Sequence, residues 1–190
     1  ISVLNNSNAR QYVDGSAFHL YGGDINDLSE LKNTHPDKNL YFTEQWVGAP
    51  GNLYGDLRWH IRNLIIGATR NWCKTIIEWN LASDENQKPH TEGGCSSCLG
   101  AVTITGNSVQ RNTAYYVIAH ASKFVPPGSV RLHSSNSSTL PNVSFLTPEE
   151  KIVTIVLNDS SNKINFNIIL DDKDIHSSLN AGAIGTFVLN

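Results

Sequence analysis

Two strand-like stretches end on the residues best suited to chemistry. Leu40-Tyr41-Phe42-Thr43-Glu44-Gln45-Trp46 closes on a carboxylate beside an indole, and Ile76-Ile77-Glu78-Trp79-Asn80 repeats that ending. A carboxylate serves as nucleophile or base, and an aromatic face stacks on the C–H face of a pyranose. Placed at the carboxyl ends of neighbouring strands, where α/β proteins bind ligands, the combination points to sugar chemistry. Strict alternation puts Leu40, Phe42 and Glu44 on one strand face and Tyr41, Thr43 and Gln45 on the other. Glu44 is then either a salt-bridged rim residue or a carboxylate offered to ligand. Glu78, one residue before Trp79, reads as half of a packed ion pair.

His19 and Tyr21 lie at i and i+2 near the end of an earlier strand, beside Gly22-Gly23, so they share a face. They are placed to orient a carboxylate or to bind a sugar hydroxyl. Trp46 and Trp79 offer flat faces to a sugar, whereas Trp59 and Trp72 read as core filling. Cys95-Ser96-Ser97-Cys98 stands alone in a Gly-rich loop without a second pair. It reads as a loop staple or a pair of free thiols, with a redox or zinc site as the weaker reading. The seven histidines are scattered with no metal-ligand spacing, so no metal is expected. Neither a G-x-G-x-x-G nor a G-x-S-x-G motif is present, and no cofactor is expected.

The elements that must position these residues alternate through the first two thirds of the chain. Residues 12–21 read as a strand, 27–35 as a helix with Asp27 as N-cap and Glu30 at the capping-box position, and 39–46 as a strand. Residues 53–69 follow as a helix with Leu53, Leu57, Ile61, Leu64, Ile65 and Ala68 on one face. Residues 72–80 form a third strand. After a loop over 82–100, a helix over 111–123 turns Tyr115, Ile118, Ala119 and Ser122 inward. Beyond Pro126-Pro127-Gly128 the period becomes two. Short strands are expected over 130–133, 143–146, 151–157, 164–170, 176–179 and 184–189, with hairpin turns at 159–162 and 171–173.

With 190 residues, 39% hydrophobic, 16% charged and a net charge of −3, the chain suits a polar-surfaced globular protein. No basic cluster suggests nucleic acid or an anionic membrane as partner. No apolar run approaches the ~18 residues of a transmembrane helix, so no transmembrane segment is expected. Three cysteines make no disulfide framework. Sequons stand at Asn5, Asn136, Asn142 and Asn158. The absence of methionine means that Ile1 is not a retained translation start, and a processed product or a piece of something longer is expected.

Ordered motifs through nearly the whole chain resemble one family. They are Phe18-His19-Leu20-Tyr21-Gly22-Gly23, the Glu44 strand, 62–72 with Arg62-Asn63-Leu64 and Asn71-Trp72, Glu78-Trp79-Asn80-Leu81-Ala82, and His120-Ala121-Ser122-Lys123-Phe124-Val125 with Pro127-Gly128-Ser129. Together they resemble the carboxyl-terminal part of glycoside hydrolase family 30, which includes glucosylceramidases and β-1,6-glucanases. The resemblance implies an α/β plus all-β protein. Residues 1–124 would form the last three βα units of a (β/α)8 TIM barrel, and 125–190 part of a β-sandwich side domain.

It also implies Glu44 as catalytic nucleophile, His19 and Tyr21 as residues positioning it, and Trp46, Trp79 and His90 at the substrate. Animal members carry Asn-Trp where this chain has His90-Thr91. The family's acid/base lies in an Asn-Glu-Pro motif absent from this sequence. The expectation is therefore a fragment carrying a nucleophile without its proton donor, inactive alone, whose partners are a β-glucoside or glucan and the missing amino-terminal part of the barrel. For the intact protein a secreted or periplasmic location is favoured. The alternative is a non-catalytic carbohydrate-binding or accessory protein.

Overall fold

A computed structural model describes residues 2–171 and 173–190. The chain divides into two compact units, one ending at Ile118 and the other running from Ala119 to Asn190.

The first unit opens with two single-turn helices, α1 (Ser2–Asn5) and α2 (Ser7–Arg10), the second capped by Asn6, whose side chain accepts from the Asn8 and Ala9 N–H groups. Strand β1 (Gly15–His19), helix α3 (Asp27–Thr34) and strand β2 (Asn39–Glu44) follow. After the short β3 (Val47–Gly48) come α4 (Leu53–His60), a π-helical continuation (Ile61–Ala68) and β4 (Cys73–Ile76). The alternation of strands and helices yields a parallel sheet in the order β1-β2-β4. One face of that sheet is apolar because Leu40 and Phe42 point to the helices. They are fully enclosed there with Leu28, Leu31, Leu64, Ala68 and Cys73.

Several local details differ from expectation. Asp27 is not the N-cap of α3: Asn26 holds that position without a side-chain cap, and the Asp27 carboxylate accepts from the Asp24 N–H. Helix α4 does carry a cap, since Asn52 accepts from Gly55 N–H and its own N–H donates to Asp56 Oδ2. The helix then widens into π geometry. The wider turn buries Ile66 together with Ile61, Leu64, Ile65 and Ala68, while Leu53 stays exposed. Asn71 ties the end of this segment to α3. It donates to Gly67 O and Asn26 Oδ1 and accepts from Ser29 Oγ at 2.6 Å. Trp59 and Trp72, expected in the core, are 39% and 47% exposed.

The loop expected over 82–100 contains structure. Strands β5 (Ala82–Ser83) and β6 (Cys98–Leu99) bracket it, and β7 (Val102–Thr105) and β8 (Ser108–Arg111) follow as a hairpin. β5, β7 and β8 form one small sheet, while β6 pairs antiparallel with β3. Helix α5 (Thr113–Ser122) buries Ala114 and Val117; Tyr115 and Ser122, expected inward, are exposed. Tyr115 instead lies under the Arg111 guanidinium.

The second unit is all β beyond the end of α5. Strands β9 (Val130–Leu132), β10 (Asn142–Leu146), β11 (Ile152–Leu157) and β14 (Ile184–Leu189) make an antiparallel sheet in the order β14-β11-β10-β9. β12 (Ile164–Leu170) and β13 (Lys173–Leu179) form a separate hairpin ribbon. Residues 159–162 are thus not a hairpin turn, because β11 and β12 belong to different sheets. The buried Asn158 organises that connection, donating to the carbonyls of Asn162, Leu179 and Asn180. The turn expected at 171–173 joins the paired β12 and β13, with Asp172 outside the described residues.

Candidate active site

Alternation along β2 fails at one residue, and that failure makes the site. Pairing with β1 runs Phe18 to Phe42 and then His19 to Glu44, leaving Thr43 as an extra residue. The buried positions accordingly run 40, 42 and 45. A bulge of this kind re-aims the side chains beyond it. Gln45, not Glu44, continues the buried set, and Glu44 turns into a cleft at the carboxyl end of the sheet. The expectation that Glu44 shares the face of Leu40 and Phe42 is corrected by this shift.

Glu44 is gripped from the end of β1. Tyr21 Oη donates to Glu44 Oε1 at 3.1 Å, and His19 Nδ1 lies 3.7 Å from the same oxygen. The His19 and Tyr21 rings meet edge to face with centroids 5.7 Å apart, so each limits the other's rotation. Burial, and then the bond to Glu44 and its charge, push the Tyr21 phenol well above its ordinary 10.0. Tyr21 therefore stays a donor across the neutral range.

Two indoles flank the carboxylate. Trp46 lies directly against the backbone of β3, where a Cβ on Gly48 would fall 2.8 Å from its ring and displace the indole. Trp79 arrives because the ladder outlasts β4: Ile77 N–H donates to Phe42 O and Trp79 N–H to Gln45 O. Beneath it, Glu78 Oε1 lies 2.7 Å from His60 Nδ1 with both side chains buried, the packed pair expected for Glu78. Glu78 Oε2 and Gln45 Oε1 are buried without a hydrogen-bond partner.

The facing wall is the loop between β5 and β6. Asp84 shapes its start, its carboxylate accepting from the N–H groups of Asn86 and Lys88; these bonds hold it below the usual carboxylate range. Its end is closed by a Cys95–Cys98 disulfide. Between them Pro89, His90, Thr91 and Gly94 face the cleft. The open cleft holds about 610 Å³ and is lined also by Tyr21, Glu44, both tryptophans and both cysteines. This is the size and mixture of apolar faces with few polar groups typical of a small-ligand site.

The structure thus brings Glu44, Tyr21, Trp46, Trp79 and His90 into one cleft, with His19 beside Glu44. Sequence reasoning missed Gly94 and the disulfide as cleft wall, and the pairing of β3 with β6 that brings them there leaves no local signature. Glu44 is the one carboxylate among the described residues lining the cleft. No group of three or more His, Cys, Asp or Glu able to hold a metal occurs among the described residues, and no helix there is long and apolar enough to cross a membrane.

The first unit thus delivers a carboxylate, its tyrosine partner and two indoles to one end of a parallel sheet, and an all-β unit follows it in the chain. Residues 1–125 match the glycosyl hydrolase family 30 TIM-barrel domain and residues 128–187 the family's beta sandwich domain. The chain belongs to glycoside hydrolase family 30, a family of O-glycosyl hydrolases. It is 34% identical over 173 residues to the endo-1,6-beta-D-glucanase neg1 of Aspergillus fumigatus, covering 86% of this chain and 34% of that protein. To the lysosomal acid glucosylceramidase of Mus musculus it is 28% identical over 183 residues, covering 87% and 35%. Among solved structures, the endo-beta1,6-glucanase BT3312 superposes with a TM-score of 0.91 at 28% identity, covering 99% of this chain and 43% of that one. The chain spans about a third of the length of the curated relatives it matches.

Proposed function

We propose that this chain carries the nucleophile side of a retaining β-glycosidase that cleaves β-glucosidic O-glycosyl bonds. Residues 1–124 serve as the carboxyl-terminal portion of the catalytic barrel and 125–190 as its β-sandwich side domain. Glu44 attacks the anomeric carbon, the glycosidic C–O bond breaks, and a glycosyl ester forms on Glu44. Water then cleaves that ester with retention. His19 and Tyr21 hold the carboxylate in position, while Trp46, Trp79 and His90 line the sugar site. The proton for the leaving oxygen comes from a second carboxylic acid about 5–5.5 Å from Glu44. In this reading that acid is supplied by barrel strands outside these 190 residues, consistent with Glu44 as the one carboxylate lining the cleft among the described residues.

The observation that carries this reading is the Tyr21–Glu44 hydrogen bond inside a cleft walled by two indoles. The relatives' names favour β-1,6-glucan or glucosylceramide as the bond's context. A cyclophellitol-type epoxide, which esterifies the nucleophile of a retaining β-glucosidase, tests it in the enzyme that carries this chain. An adduct on the peptide containing Glu44, lost in Glu44→Gln, is expected. Saturable glycan binding with no adduct would assign the chain to a non-catalytic carbohydrate-binding protein instead. The 190-residue chain alone is expected to show no steady-state hydrolysis of an aryl β-glucoside.

A further inference from the structure

The Cys95–Cys98 disulfide lines the cleft, yet the proposed chemistry makes no use of it. We propose that it is a specificity-determining latch: it fixes the loop wall against Trp46 and so sets affinity for the sugar, while turnover is set elsewhere. This rests on the reading of the cleft as a β-glucoside site.

The bond is placed for that task. Cys98 is 5% exposed within β6, opposite Gly48 of β3, two residues after Trp46. Cys95 belongs to the loop that supplies Pro89, His90, Thr91 and Gly94 to the cleft. Without the disulfide, that end of the wall hangs on a two-residue ladder and the Ala49 N–H to Ser97 O bond of 2.7 Å. The wall itself, between Asp84 and Cys98, contains no helix or strand. Its inner order comes from short local bonds, such as Gly94 N–H to Thr91 O at 2.9 Å.

A sequence separation of three closes a small ring, which restrains the unfolded chain far less than a long loop would. The consequence of the bond is therefore local, and the local structure is the sugar-facing wall. Glu44, Tyr21 and His19 hang from β1 and β2, so loosening the wall leaves them in place. Contacts made equally in ground and transition states alter KM and spare kcat.

Phosphine reduction of the enzyme that carries this chain tests the latch, with reoxidation as control and a Cys95→Ser/Cys98→Ser double variant as a second route. On the 190-residue chain, Cys73 is buried with its thiol pushed up to about 12, so thiol titration of that chain under native conditions counts the opened pair. On a β-glucoside, KM is expected to rise about tenfold with kcat within about twofold, reversing on reoxidation. Amide exchange is expected to rise over 84–98 and to stay unchanged in the β1-β2-β4 sheet.

Unchanged KM with the bond shown to be open overturns the latch. So does loss of exchange protection throughout the first unit, which would make the bond a general staple. If the intact enzyme hydrolyses no β-glucoside, the functional reading fails by itself. The exchange measurement, made on the 190-residue chain, still decides whether the bond holds the wall.

Discussion

Tyr21 and His19 converge on one oxygen of Glu44, yet only the tyrosine is within hydrogen-bonding distance. Tyr21→Phe keeps the ring that packs on His19 and removes the donor. A hydrogen bond to a charged group contributes about 1.5–3 kcal/mol, so kcat/KM of the enzyme should fall about 10- to 100-fold. The same phenol has a pH signature. Its folded pKa lies above the ordinary 10.0, so whatever stability Tyr21 contributes is fully present below 10.0 and fades as pH rises toward the folded value. Ultraviolet titration of tyrosinate should show a component well above 10 that disappears in Tyr21→Phe. Glu78 works beneath the cleft. Glu78→Ala leaves His60 buried without its partner, and a loss of about 3–5 kcal/mol is expected from urea unfolding. A loss below about 1 kcal/mol would mean that the pair is solvated in solution.

Strand β1 meets β2 so closely at Gly15 that a Cβ there would collide with the Asn39 carbonyl oxygen. Gly15→Ala should cost about 1–3 kcal/mol and loosen the start of the ladder, which amide exchange across β1 and β2 would detect. Such backbone contacts divide what was legible in sequence from what was not. β12 and β14 match the alternating runs read from residues alone, because period two is written in consecutive side chains. The Thr43 bulge is not, since it exists only relative to β1. The π-helical stretch follows a pattern that fits an ordinary helix equally well, and only the burial of Ile66 beside Ile65 distinguishes them. Trp59 and Trp72 were misread for a related reason: exposure depends on what other elements cover, not on hydrophobicity. The carboxylate, the His19–Tyr21 pair and the cleft indoles were readable because they stand at strand ends. The disulfide as cleft wall was not, since β3–β6 pairing decides it.

Across the whole chain, the parallel sheet of the first unit ends on β1 at one side and β4 at the other. Open edges present unpaired backbone groups that template further pairing. The isolated 190-residue chain is therefore expected to associate with rising concentration in sedimentation velocity, and a concentration-independent monomer would contradict this. The two units also differ in how freely their length can change. In the second unit, the 133–141 connection is expected to tolerate added residues at its exposed positions 135 and 136, as surface loops do. In the stretch from Leu40 to Gln45, the count of residues and the bulge together decide which way each side chain faces. With Thr43 present, an odd step separates the last inward hydrophobic residue, Phe42, from the next buried side chain, Gln45. Straightening the bulge with Thr43 retained would restore plain alternation from Phe42, drive the carboxylate under the helices and bring the amide to the cleft, whereas removing Thr43 would set Gln45 two residues from Phe42 and keep both on their present sides. The direction of the carboxylate thus rests on a backbone irregularity and not on side-chain pattern: a β2 that ran straight through Thr43 would lose the site with its composition and hydrophobic pattern unchanged.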